Sequence, residues 1–133
     1  MKQQAEVTLT DKKYFAEAKM RNHFSVIDEP VKAGGGDTGP TPVEYLLTAI
    51  GGCVSITLRM YADRKGWDLG EIKVIVSQKE ELTKDGIKKS LLEEISFEKE
   101  PTEEQKAKLL IIAGKCPVAK MVKGETDIET QLK

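Results

Sequence analysis

The sequence is poor in the residue types that mark several common functional classes. Its 133 residues include two cysteines, one histidine and 5% aromatic residues. Structural zinc usually takes four cysteine and histidine ligands, so we expect no metal site. Few aromatic side chains are present to stack nucleic-acid bases. Lys and Arg number 21 against 22 Asp and Glu, without the basic excess typical of nucleic-acid binding.

Long apolar runs are also missing. No uninterrupted apolar stretch reaches about 18 residues, and the N-terminus MKQQAEVTLT lacks the apolar core of a signal peptide. We therefore expect no membrane partner and a cytoplasmic location. The length of the chain predicts one domain over residues 1–133. In a reducing cytosol, cysteines are more often free, catalytic or transiently oxidised than joined in a permanent disulfide.

Hydrophobic periodicity predicts an α+β protein with antiparallel sheets. Strands and helices come in runs, in the order β-β-β-α-β-β-α-α-β. A small meander occupies the first 30 residues, and Asp-Gly marks the turn of a later hairpin. The predicted later elements are hairpin arms at 70–79 and 86–100, helices at 102–114 and 116–122, and a last strand at 125–132.

The strongest helix pattern runs from about residue 42 to residue 64. Thr41 and Glu44 form a T-x-x-E capping box at its start. No charged residue occurs between Tyr45 and Leu58, and a helix this apolar is expected to be buried on all sides. The predicted strands hardly suffice to cover it, so we expect a homodimer in which the partner covers one face.

A glycine-rich loop precedes this helix. Gly34, Gly36 and Gly39 match G-x-G-x-x-G, but the dinucleotide fingerprint needs its last glycine inside the helix of a βαβ unit. Here prolines follow directly and the next strands form a hairpin, so we expect a loop shaped by its turn residues and no bound cofactor. The lone His23 lies at a polar position of a predicted strand, which favours a surface role.

The two cysteines occupy distinctive positions. Cys53 follows two glycines, which suggest that a backbone or a ligand approaches there, and it shares a helix face with Leu46 and Ile50. By itself it is typical of a small core residue. Cys116 precedes Pro117 at a helix N-terminus, where the dipole favours a thiolate, so local chemistry predicts Cys116 as the more acidic thiol. A redox pair, two inert thiols and a structural disulfide all remain open from these positions.

Two stretches together are similar to the OsmC/Ohr family: GPTPVEYLLTAIGGC ending at Cys53, and GKCPVAKMV containing Cys116. The resemblance implies an OsmC-like fold, with antiparallel sheets around a long central helix, in an intertwined homodimer. It also implies a thiol peroxidase acting on organic hydroperoxides in oxidative stress. Cys53 would become a sulfenic acid and Cys116 would resolve it as a disulfide. A dithiol reductant would restore both thiols, without metal, flavin or haem.

Two positions depart from the family pattern. Peroxidase members pair the reactive cysteine with a glutamate ten residues upstream and an arginine near the N-terminus. Here Val43 stands ten residues before Cys53, so Glu44 and Arg21 are the candidate thiolate partners. This pattern resembles the OsmC-like branch more than the Ohr branch. It leaves a second function open, a small-molecule binding protein of the same fold without peroxidase activity.

Overall fold

The computed structural model describes residues 2–133, which form two compact units. The first unit extends to Leu46 and holds a three-stranded antiparallel sheet. The second extends from Leu47 to the C-terminus and holds a two-stranded hairpin with helices. The boundary falls within the long helix α1 (Pro42–Lys65). The predicted α+β class with antiparallel sheets and one long helix is confirmed, whereas the single domain stays a prediction.

The sheet of the first unit is the predicted meander. Strands β1 (Glu6–Leu9), β2 (Ala16–Met20) and β3 (His23–Ile27) pair antiparallel in that order. Ala16 and Ala18 are buried, and the side chains between them point outward, as the two-residue period of a strand requires. Only one face of the central strand is therefore covered within this unit.

The glycine-rich loop after β3 folds back on its own backbone. It contains a short 3₁₀ turn, Val31–Ala33, and no strand or helix beyond it until α1. A Cβ atom at Gly35 would lie 2.1 Å from the carbonyl oxygen of Glu29, and one at Gly39 would lie 2.9 Å from that of Val26. Both glycines are required by this close approach, as expected for a loop shaped by its turn residues.

The start of α1 carries the predicted capping box. The Thr41 N–H donates to the Glu44 carboxylate at 2.8 Å, and the Glu44 N–H donates to the Thr41 hydroxyl at 3.2 Å. One turn into the helix, the Tyr45 hydroxyl donates to the Val26 carbonyl at 2.6 Å and also makes a short hydrogen bond with Ser25. These bonds attach the first turn of α1 to β3 within the first unit.

In the second unit, α1 buries one stripe. Its buried side chains recur every four residues: Ile50, Val54, Leu58 and Ala62. Ile56 and Met60 are 57% and 61% exposed, so the expectation of a helix buried on all sides is wrong for the single chain. The hairpin and the following helices cover only one face of α1. The helix ends before Gly66, whose φ of +72° is the left-handed conformation typical of a helix stop.

Helix α1 is also long and apolar enough to cross a membrane, with a mean hydropathy of 1.3 in its most apolar window. A core helix of a globular domain passes the same test of length and composition. The finding is a weak argument for a span, and the absence of a membrane partner stays a prediction.

The predicted hairpin forms, with a first strand longer than predicted and a second strand shorter. Strands β4 (Ile72–Thr83) and β5 (Gly86–Phe97) pair along their whole length. The turn closes at Gly86, whose φ is +113°. Leu82 and Ile87 face each other near the tip and are 88% and 64% exposed, so only the base of the hairpin contributes to the core.

One apolar core holds the second unit together. Helix α2 (Glu103–Ala113) begins with a capping box between Thr102 and Gln105 and lays one side on this core. Burial removes the apolar side chains from water, which is the main force that stabilises such a cluster. The buried members are Ile50, Val54, Leu58, Ala62, Leu69, Leu109, Ala113 and Cys116.

The C-terminal part departs from the sequence prediction. Helix α3 (Pro117–Lys120) passes into a π-type turn at Met121–Glu125, and the residues after it have no regular structure. The predicted last strand at 125–132 is wrong. Ile128 and Leu132 are 91% and 99% exposed, and no described strand pairs with this segment. An alternating pattern does not form a strand without a partner to take its hydrogen bonds.

Candidate active site

Cys53 lies in the middle of α1, partly buried against the core of the second unit. The glycines before it differ in their surroundings. A Cβ atom at Gly51 would lie 3.4 Å from the Val76 methyl group, whereas one at Gly52 would meet nothing within 4 Å. The contact at Gly51 is an ordinary van der Waals distance, so within this chain no close approach requires a glycine at either position.

Cys116 is fully buried at the beginning of α3. It is the N-cap of this helix, with Pro117 in the first helical position, as the sequence predicts. Its sulfur accepts a hydrogen bond from the Ala119 N–H at 3.5 Å. A thiol therefore takes the place that serine, threonine or aspartate usually occupies at a helix N-terminus.

The structure brings the two thiols together. Both cysteines are free, Cys116 is a buried member of the apolar core, and Cys53 packs against the same core. They are 63 residues apart in the sequence, so this arrangement depends on the packing of α3 and the end of α2 against α1. Of the three alternatives, a permanent disulfide is not what this structure holds.

Burial dominates the acidity of Cys116. It raises the pKa of the thiol above its ordinary value of 9.0, and the hydrogen bond with Cys53 and its charge raise it further. The backbone N–H groups of Ala119 and Val118 act in the opposite direction but do not prevail. The expectation that the helix N-terminus favours a Cys116 thiolate is therefore wrong, because the sulfur is removed from water.

The surroundings of the pair are almost entirely apolar. The residues of the core cluster carry no charge, and Tyr61 is the one other titratable side chain packed against it in the described part of the chain. The Tyr61 ring meets Trp67 edge to face, with 5.5 Å between the ring centroids. Lys115 and Lys120, on either side of Cys116 in the sequence, are both exposed. The two thiols thus lie in apolar surroundings, and Cys53 is the more accessible of the two.

Arg21 and Glu44 both belong to the first unit. Arg21 lies in the turn between β2 and β3, with a φ of +57°. Glu44 lies in the first turn of α1, where its carboxylate closes the capping box on Thr41. The structural role predicted for Glu44 is therefore confirmed, whereas the thiolate-partner roles of both residues stay predictions.

Metal ligation has little support in the residues present. His23 is exposed in β3, opposite Met20. Among residues 2–133, no group of three or more His, Cys, Asp or Glu side chains is arranged to hold a metal ion. The two sulfurs alone would leave such an ion without the four ligands that structural zinc takes.

Sequence reasoning missed Asp28, a buried carboxylate that organises the glycine-rich loop. Its oxygens accept hydrogen bonds from the N–H groups of Glu29, Gly36 and Thr38 at 2.7, 3.3 and 3.2 Å, and from the Thr38 hydroxyl at 2.6 Å. The Thr38 hydroxyl is the largest cause that lowers the pKa of Asp28. An aspartate at the start of a glycine-rich loop was the available signal, because such side chains often bind nearby backbone N–H groups.

An antiparallel α+β fold with a long helix, and two free thiols at one apolar core, are the features that define the class of protein. The family model described as OsmC-like protein matches residues 34–131, a range that contains the glycine-rich loop and both cysteines. The chain belongs to the OsmC-like family.

Solved structures show the same fold at low sequence identity. A Psychrobacter arcticus protein named for osmotic stress induction and detoxification is 22% identical, with a TM-score of 0.73 over 87% of this chain and 85% of that one. The organic hydroperoxide resistance protein OsmC of Legionella pneumophila is 14% identical, with a TM-score of 0.69 over 96% and 93%. The organic hydroperoxide resistance protein OhrB of Bacillus subtilis is 19% identical, with a TM-score of 0.63 over 100% and 98%. No curated protein sequence matches the chain.

Proposed function

We propose that this protein is a thiol-dependent peroxidase that reduces organic hydroperoxides. The observation that carries the proposal is a pair of free thiols at the same apolar core, with one thiol more accessible than the other. The family, and the organic hydroperoxide resistance proteins that share the fold, support the same chemistry. Cytoplasmic action stays a prediction.

In the proposed reaction, the Cys53 thiolate attacks one oxygen of the hydroperoxide. The O–O bond breaks, the alkoxide takes a proton and leaves as an alcohol, and Cys53 becomes a sulfenic acid. The Cys116 sulfur then attacks the Cys53 sulfur, the S–O bond breaks, and water leaves. A dithiol reductant reduces the resulting disulfide by thiol–disulfide exchange and is itself oxidised.

The exposure of the two sulfurs supports this division of roles. Cys53 is partly exposed on α1, so a hydroperoxide can approach it. Cys116 is 0% exposed, and burial raises its pKa, so it is poorly placed to meet substrate first. A resolving thiol needs only to reach the sulfenic acid, and both cysteines lie at the same core.

We propose a homodimer as the working form. Ala49, Ile56 and Met60 are exposed on α1 at helical spacing beside Cys53, which makes an apolar stripe. The C-terminal side chains Ile128 and Leu132 are almost fully exposed as well. A second copy that covers these surfaces would also shield Cys53 from solvent. Met60→Glu should weaken the dimer in sedimentation velocity, with the tip variant Leu82→Glu as the matched control.

The decisive experiment is consumption of a bulky alkyl hydroperoxide in the presence of a dithiol. We expect Cys53→Ser to lower turnover by at least about a hundredfold, because it removes the nucleophile. We expect Cys116→Ser to complete one turnover and stop at a sulfenic acid, which a dimedone-type reagent traps. Wild-type protein that consumes peroxide no faster than Cys53→Ser would overturn the proposal.

The proposed thiolate partners need variants that spare the fold. Glu44→Gln keeps a capping-box side chain while it removes the charge. Arg21→Gln removes the guanidinium from an exposed turn. If these groups act on the Cys53 thiolate, each variant should lower the single-turnover rate by about tenfold. Rates within about twofold of wild type would show that neither residue acts on the thiolate. Glu44 would then serve only as the capping residue of α1.

A binding protein without peroxidase activity is the second candidate. The observation that favours it is a largely apolar cavity of about 450 Å3 in the second unit, between α1, β5 and α2, with Leu58, Phe97 and Leu109 in its lining. Such a cavity suits a small apolar ligand. Saturable binding of an apolar fluorescent probe, together with no consumption of hydroperoxide, would favour this function. The pair of free thiols at one core favours the peroxidase.

A further inference from the structure

The apolar cavity of the second unit has a buried inner side. It lies between α1, β5 and α2 and measures about 450 Å3. Leu58 and Leu109, which are 0% and 3% exposed, line it together with the buried Pro101. Neither Cys53 nor Cys116 belongs to its lining, so the chemistry of the thiols does not account for it. The inner side therefore offers apolar surface to a ligand.

An ion pair forms part of the outer side. The Lys106 ammonium lies 2.5 Å from a carboxylate oxygen of Glu100, and both residues line the cavity. A second carboxylate, that of Glu103, lies 3.3 Å from the same ammonium. The side chains of Lys106 and Glu100 are 42% and 77% exposed, so the pair faces solvent. Ser96 is the other polar residue of the lining and carries no charge, so the cavity combines an apolar interior with a paired, self-compensating charge at its edge.

We propose that this cavity is a binding site for a neutral amphiphile, an aromatic or alkyl body that carries one hydroxyl group. The body fills the inner side, and the hydroxyl lies at the ion pair, where it donates to Glu100 and accepts from Lys106. The inference rests on the cavity that favours the second candidate function, and it names the class of ligand. It holds whether or not the thiols reduce hydroperoxides.

The chemistry of the ion pair selects a hydroxyl group. A hydroxyl both donates and accepts, so it suits the Glu100 carboxylate, which only accepts, and the Lys106 ammonium, which only donates. A ligand carboxylate would be attracted by Lys106 and repelled by Glu100 and Glu103, and a ligand ammonium would meet the reverse. A dry apolar cavity of about 150 Å3 holds benzene, so this larger cavity has room for a body of two rings.

The first test compares four ligands that share one ring system. Naphthol carries the hydroxyl, methoxynaphthalene lacks its donor, and naphthoate and naphthylmethylammonium carry opposite charges at neutral pH. We expect calorimetric titration of the reduced protein to show naphthol binding at least about tenfold more tightly than each of the others, as for a hydrogen bond to a charged group. Equal affinity for all four ligands would overturn the proposed class.

The second test locates the site with two neighbouring residues of α2. Leu110 and Ile111 are 74% and 64% exposed, but of the two only Leu110 lines the cavity. Leu110→Glu places a carboxylate against the ligand, and the apolar body would remove that charge from water, so we expect naphthol binding to weaken by about tenfold or more. Ile111→Glu is the matched control and should bind naphthol within about twofold of wild type. Similar losses in both variants, or none in either, would overturn the assignment of the site.

The third test changes the preference itself. Lys106→Met removes the cation but keeps a flexible side chain, which leaves the Glu100 carboxylate as the one charge in the lining. We expect naphthylmethylammonium to bind about tenfold more tightly than to wild type, and naphthol to lose affinity. An order of affinities identical to that of wild type would overturn the role of the ion pair.

Hydroperoxide consumption keeps this inference separate from the proposed functions. If naphthol binds selectively and hydroperoxide is also consumed, the inference stands and the function of binding without peroxidase activity falls. If all four ligands bind alike, the inference alone falls. If none of them binds, both the inference and the second candidate function fall. Dissociation of a dimer by Leu110→Glu in sedimentation velocity would then show that a second copy covers the cavity.

Discussion

Asp28 in the first unit and Cys116 in the second are both buried acids, yet their pKa values move in opposite directions. Asp28 is 3% exposed, and its pKa is lowered because four donors surround the carboxylate. Cys116 is 0% exposed, and its pKa is raised because burial outweighs the weak backbone donors at its helix terminus. The number and strength of the donors decide which form of a buried acid is stabilised.

The comparison explains why a helix N-terminus is a poor guide to acidity on its own. The N–H of Ala119 reaches the Cys116 sulfur at 3.5 Å, a long bond to a weak acceptor, whereas the Thr38 hydroxyl reaches Asp28 at 2.6 Å. Asp28 is thereby stabilised as an anion that fixes a loop, and Cys116 as a neutral thiol. A variant that removes a donor from a buried acid should therefore raise the pKa of that acid, and one that adds a donor should lower it.

The largest expected effect is that of Asp28→Ala. The substitution leaves three N–H groups and one hydroxyl without their acceptor inside the glycine-rich loop, and unpaired donors are costly. We expect the melting temperature at pH 7 to fall by about 5–10 °C. Glu29→Ala, one residue later, is the matched control and should change it little. A fall of under about 1 °C for Asp28→Ala would contradict the claim that the hydrogen bonds of Asp28 stabilise the loop.

The second prediction concerns acid. The folded-state pKa of Asp28 is lowered, so its contribution to stability is full above its ordinary value of 3.8 and is lost as the pH falls toward the folded-state pKa. The difference in melting temperature between wild type and Asp28→Asn should therefore be constant from pH 7 to about pH 5 and shrink below pH 4. A difference that persists unchanged at pH 2 would show that the charge is not what the loop binds.

The third prediction concerns alkali and has the opposite sign. The folded-state pKa of Cys116 is raised, so the neutral thiol contributes stability that is full below its ordinary value of 9.0 and is lost as the pH rises beyond it. Between pH 8 and pH 10.5, wild type should lose more thermal stability than Cys116→Ser, whose hydroxyl does not titrate. Both proteins should be measured with excess reductant. Parallel loss in the two would contradict a buried neutral thiol.

The smallest expected effect is that of Thr38→Val, which removes the strongest donor to Asp28 and keeps the size of the side chain. Burial then weighs more heavily on the carboxylate, as it does on Cys116. We expect the melting temperature at neutral pH to fall by about 2–4 °C and the acid-sensitive window to move to higher pH. Thr126→Val, in the irregular C-terminal segment, is the control. If the acid sensitivity is the same as that of the wild type, the backbone donors alone lower the pKa of Asp28.

Local patterns predicted most of the fold correctly. The capping box at Thr41, the Asp-Gly turn of the hairpin and the meander all appear, because each depends on interactions within a few residues. The prediction of a strand at 125–132 is wrong because the hydrogen bonds of a strand need a partner that is far away in the sequence or on another chain. The long helix was expected to be buried on all sides, yet a single chain covers only one of its faces.

For the candidate site, the sequence predicted the identity of both thiols but not their chemistry. The positions of Cys53 and Cys116, and the capping role of Glu44, could be predicted from neighbouring residues and from the family resemblance. The acidity of Cys116 could not, because it depends on how completely the packing of α1 and α2 excludes water. The role of Asp28 was missed because the four donor groups of the loop come within hydrogen-bonding distance of its carboxylate only when the loop is folded.

The sequence by itself determined the elements, the helix caps and the two thiols, since these are set by side chains and backbone groups that are close along the chain. The tertiary structure alone decided that both thiols lie at one core, that Cys116 is buried with a raised pKa, and that the pKa of Asp28 is lowered. The physical reason is that contact, desolvation and the number of donors around a group are properties of packing. Residues far apart in the sequence, such as Cys53 and Cys116, acquire them only together.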